Sequence, residues 1–145
     1  MPDDRRTKAL AELHQLQRLQ ALAVQQHAAQ AQAGVAAVGR QIAELERRVA
    51  AEAAALDDYR DAAALGRWTD LMDRRRGGLL RRQAEAQQHA DRLASKAATA
   101  RLAVEQHAEL LRHLRTQLRM GQRRAAIRKE WETAAALSAP ECDEA

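Results

Sequence analysis

The chain has 145 residues, 46% hydrophobic but only 2% aromatic, and 30% charged, with a formal net charge of +4 and a pI near 10.0. Alanine, leucine, glutamine, arginine and glutamate dominate, and all are strong helix formers. So few large side chains cannot build a globular core, and this composition belongs to coiled coils and long helices.

The start, MPDDRRTKAL, lacks an apolar h-region, so no secretory signal is expected. No stretch approaches the roughly 18 consecutive apolar residues of a membrane span, so no membrane insertion is expected. Pro2 and Pro140 are the only prolines, and nothing between them forbids a long helix. From Val35 the apolar residues recur at alternating steps of three and four: Val35, Val38, Ile42, Leu45, Val49, then Leu56 and Tyr59. This is a coiled-coil seam. Extended backwards it takes in Ala31, Ala28, Val24, Ala21, Gln17, His14 and Leu10.

The stretch YRDAAALGRWTDLMDRRRGG holds the only tyrosine and three of the six glycines. Gly66 suits the left-handed residue that ends a helix, and Thr69 with Asp70 suits the start of the next. A turn is therefore predicted at about 65–70, with Tyr59 and Trp68 covering the open end. Gly77-Gly78 is a competing break or hinge. Beyond it a second seam runs through Leu79, Ala86, Ala90, Leu93, Ala97, Ala100, Val104, His107, Leu111, Leu114 and Leu118, and Gln83 also falls on it.

The expected fold is all-α: two long helices in an antiparallel coiled-coil hairpin over 1–137. Arm one takes about 5–64 and arm two about 71–137, with an acidic, disordered tail over 138–145 (SAPECDEA). In an antiparallel pair, facing residues have a constant sum of residue numbers. A sum of 135 centres the turn between Arg67 and Trp68 and sets Ile42 across from Leu93, Leu45 from Ala90 and Leu56 from Leu79, although a sum of 142 also fits the heptads. Each arm would reach roughly 90 Å at 1.5 Å per residue. The alanine-rich seam implies marginal stability alone, and hence a component that works with partners.

Catalytic chemistry is not visible in the chain. His14, His27, His89, His107 and His113 show no i, i+4 pair for a helical metal site. Gly77-Gly78 lacks the lysine and hydroxyl of a phosphate loop. Lone Cys142 suits a reducing cytosol. The reading is a non-enzyme with no metal and no cofactor. Arginines cluster instead: Arg74, Arg75, Arg76, Arg81 and Arg82 in mid-chain, and Arg112, Arg115, Arg119, Arg123, Arg124, Arg128 and Lys129 near the end. Their pattern points to electrostatic docking on acidic protein surfaces. Interspersed acids and scarce aromatics argue against nucleic acid.

One helical hairpin of this length, the central LDDYRDAAALGRW segment, the RRRGGLLRRQAEAQQ start of arm two and the RRAAIRKEWE end together resemble the FliJ/YscO-like stalk proteins of type III secretion. The resemblance implies a cytoplasmic, virulence-associated protein-transport component, peripheral to the inner-membrane apparatus. It would stand in the pore of the hexameric secretion ATPase and link it to the cytoplasmic ring of the export gate, with export chaperones as further partners. The end bearing both termini, with Arg5, Arg6, Lys8, Arg119, Arg123, Arg124, Arg128 and Lys129, would face the ATPase. The turn, with Tyr59, Trp68, Arg74, Arg75 and Arg76, would face the gate, and Trp131 is a candidate terminal anchor. The alternatives are a coiled-coil scaffold or adaptor, with a homodimer as one form of it, and a basic nucleic-acid-binding helical protein.

Overall fold

A computed structural model describes residues 2–55 and 62–140. It contains two helices, α1 (Pro2–Ala55) and α2 (Ala62–Ser138), paired antiparallel in the all-α hairpin that the seams predict. Both are rich in good helix formers, and neither has a proline in its interior. Pro2 opens α1 at the first helical position, where a missing N–H costs nothing. Pro140 follows two residues after α2 ends, a common place for a residue that cannot continue a helix.

The chain divides into two compact units, one comprising Leu19–Arg101 and the other Met1–Arg18 with Leu102–Ala145. In the first, Val35, Ile42 and Leu45 of α1 and Ala90 of α2 are buried. Val24, Ala28, Ala31, Val38 and Val49, with Met72, Leu79, Ala86, Leu93, Ala97 and Ala100, are half-buried beside them. These are the seam positions read from the three-four spacing, with Met72 in addition.

The pairing register differs from the expected one. Arg76 Nε bonds Glu46 Oε1 at 3.0 Å, and a Cβ built on Gly39 would lie 3.4 Å from Gln83 Nε2. The residue numbers of each pair add to 122. The nearest sum that sets seam against seam is 121, two heptads below 135. It places Ile42 across from Leu79, Val35 from Ala86 and Ala31 from Ala90, in place of Ile42 with Leu93, Leu45 with Ala90 and Leu56 with Leu79. The turn is corrected with it. Residues 65–70 lie inside α2, no described glycine has a positive φ, and Thr69 Oγ1 donates to the Leu65 carbonyl one turn back, at 2.9 Å. Thr69 is therefore no cap, and Gly66 no terminator. A lone glycine costs a helix only about 1 kcal/mol against alanine, too little to stop one already propagating. Gly77-Gly78 is likewise helical rather than a break, and Trp68 is a half-buried helix residue. Residues 56–61 lie outside the described residues, and Leu56 and Tyr59 with them.

In the second unit Leu111 is the buried residue, at 5% exposure. Leu10, His14 and Gln17 on α1 and Val104, His107, Leu114 and Leu118 on α2 are half-buried. Polar seam residues are handled unevenly. His107 Nδ1 donates to the Ala103 carbonyl at 2.7 Å, whereas His14 Nδ1 and Gln17 Oε1 are buried without a hydrogen-bond partner. Every residue from 121 to 140 is exposed, although the helix continues to Ser138. Of the tail expected at 138–145, residues 141–145 lie outside the described part.

Candidate partner-binding surfaces

The cations expected at the ATPase-facing end fall in one unit. Arg5, Arg6 and Lys8 stand in the first turns of α1, and Arg119, Arg123, Arg124, Arg128 and Lys129 in the last third of α2, all exposed. None is in an ion pair among the described residues. Trp131 is 73% exposed, with Met120 and Ile127 also exposed on the same stretch. Neither face of this segment is covered, so its apolar side chains are available together with its guanidinium groups.

The gate-facing residues divide. Tyr59 lies outside the described residues. Trp68 is half-buried and Arg74 exposed. Arg76 reaches across the seam to Glu46, with both side chains about half exposed. Arg75 turns instead into an open groove of about 1090 Å³ on the other flank of the same unit. Four more arginines line that groove: Arg40, Arg47, Arg48 and Arg82. Glu44 holds Arg47 at 2.6 Å and Arg48 at 3.1 Å, but Arg40, Arg75 and Arg82 have no ion pair among the described residues. The register explains the gathering. A facing sum near 122 brings Arg48 to within a residue of the level of Arg75, and Gln41 likewise to that of Arg82. The opposite flank holds Glu46 bonded to Arg76, with Asp73 one turn away from Arg76 on α2.

In the chain Arg40, Arg47 and Arg48 stand among the acids Glu44, Glu46 and Glu52. The signal that joins them to Arg75 and Arg82 is the register, which composition and spacing do not provide. Among the described residues no group of three or more His, Cys, Asp or Glu could hold a metal ion, and no helix is long and apolar enough to cross a membrane. Comparison with known protein families, curated proteins and solved structures finds no match.

Proposed function

We propose that this chain is a non-catalytic stalk of a type III secretion apparatus, joining the hexameric secretion ATPase to the export gate from the cytoplasmic side. The observation that carries the reading is the fully exposed end of α2. Residues 121–138 stay helical with no covering surface, yet helices in water draw most of their stability from a packed face. This stretch therefore suits a role inside a partner, with Trp131 as an apolar anchor and Arg123, Arg124, Arg128 and Lys129 as charged contacts. One asymmetric helical pair within a sixfold ring cannot fit every subunit by shape alone. Long-range, adjustable electrostatic contacts suit that mismatch. Export chaperones are further candidate partners.

The test is to add the purified chain to a hexameric type III secretion ATPase and follow ATP turnover. Co-elution and a several-fold rise in turnover are expected. The triple substitution Arg123→Glu, Arg124→Glu, Arg128→Glu should abolish the rise while leaving the helical circular dichroism unchanged. A chain that forms a tight homodimer and neither binds the ATPase nor alters its turnover would refute the reading.

A further inference from the structure

The groove in the Leu19–Arg101 unit has a composition that neither the hairpin nor the stalk reading requires. Its rim carries five arginines against two glutamates, Glu44 and Glu52. Arg48 and Arg75 line it from opposite helices, and Arg48 is held by Glu44 while Arg75 is in no ion pair among the described residues. Its floor is apolar: Leu45 is buried, and Met72 and Leu79 are half-buried. Gly78 adds to this. A helix-interior glycine costs about 1 kcal/mol relative to alanine, yet a Cβ there would meet nothing within 4 Å. Packing within this chain therefore does not call for a glycine. With Ala37 opposite on the lining, the small residue leaves a lane where another backbone can come close.

We propose that this groove is a docking site for an acidic amphipathic helix of a partner protein, which adds a third helix to the pair. The apolar face of the incoming helix would sit on Leu45, Met72 and Leu79, in the helix-in-groove manner. Its carboxylates would bond Arg40, Arg75 and Arg82, the guanidinium groups left without an ion pair here, in charge-assisted and partly bidentate fashion. The groove exceeds the 300–1,000 Å³ range of small-molecule pockets and is open along one side, which fits a segment of protein. Phosphate polyanions fit less well. The apolar floor gives them nothing, and among the described residues no aromatic side chain lines the groove for base stacking. The inference goes beyond the stalk reading and does not depend on it.

The test uses the full-length chain and a fluorescently labelled synthetic peptide of about three heptads, with leucines at the a and d positions and glutamates on both flanks. Anisotropy titrations at low and physiological salt read the affinity. The acidic peptide should bind. Arg75→Glu with Arg82→Glu, and separately Gly78→Trp, should each weaken binding at least about tenfold, or 1.4 kcal/mol. Arg92→Glu with Arg101→Glu, both exposed and outside the groove, should leave it unchanged. Circular dichroism checks that each variant keeps its helices, and Gly78→Leu serves as the blocking variant if Gly78→Trp unfolds. The proposal is overturned if the acidic peptide fails to bind, or if a scrambled peptide of equal charge binds as well. It is equally overturned if the groove variants bind like the parent chain, or if polyphosphate or single-stranded DNA binds the groove more tightly than the peptide does.

Discussion

Arg76 and Glu46, thirty residues apart in the chain, meet through a 3.0 Å bond from Nε to Oε1. The bond joins α2 to α1 and so reports which residues stand level. An exposed pair of this kind contributes only about 0–1 kcal/mol. Its value is as a marker of alignment, which the Gly39–Gln83 approach repeats about two turns further along.

The alignment gives the first prediction. Spin labels at positions 42 and 79 should lie close together. Labels at 42 and 93 should be separated by about 20 Å, because 14 residues of helix intervene at 1.5 Å each. Dipolar distance measurements on the two double-labelled chains decide the matter. If the 42/93 pair is the closer, the pairing is two heptads away from the one described here.

A second prediction concerns Gly66. It is inside α2, its φ is negative, and a Cβ there would meet nothing within 4 Å. Gly66→Ala should therefore stabilise the chain by about 0.5–1 kcal/mol, partly by restricting the unfolded state. Thermal unfolding followed at 222 nm would show a raised midpoint. A left-handed turn residue would respond in the opposite sense, so a lowered midpoint would restore the turn to residues 65–70.

These two cases show what could be read from the sequence. The seam was legible because three-four spacing is a local property, and Val35, Ile42, Leu45, Ala90 and Leu111 are all buried on it. The register was not, because a heptad repeat looks the same after a shift of seven. The residues that would break the tie, Glu46 with Arg76, are recognisable only once paired. Gly66 and Thr69 drew the turn toward themselves because their types are the same in a cap and in a helix interior. A threonine hydroxyl that bonds the carbonyl four residues back leaves no mark in the sequence. The terminal cations could be named as candidates from charge alone. The groove could not, since Arg48 and Arg75 become neighbours only under the correct register.

The polar seam positions yield a third prediction. Gln17 Oε1 is buried without a partner, a condition that costs about 1–3 kcal/mol for a neutral group. Gln17→Leu removes that cost and adds apolar burial against the Val104–Leu118 face of its unit. Stability to urea should rise by about 1–2 kcal/mol, with the m-value unchanged. His14→Leu should act in the same direction, since His14 Nδ1 is also buried and unpartnered. His107→Leu should yield less, because its Nδ1 already donates to the Ala103 carbonyl. Equal gains at 14 and 107 would contradict the distinction.

The fourth prediction tests how closely the helices approach where alanine meets alanine. Ala90 is the most buried core residue, at 2% exposure, and the register sets it level with Ala31. Small side chains on both sides bring the two backbones together and leave no room for a larger group. Ala90→Leu should therefore destabilise the chain by about 1–3 kcal/mol through overpacking, even though leucine is itself a strong helix former. Ala94→Leu is the control. Ala94 is exposed, one turn further along the same helix, and its substitution should stay within about 0.5 kcal/mol. A neutral or stabilising Ala90→Leu beside a neutral Ala94→Leu would mean that the seam has space at this level, and that the helices are held further apart than the alanine pair implies.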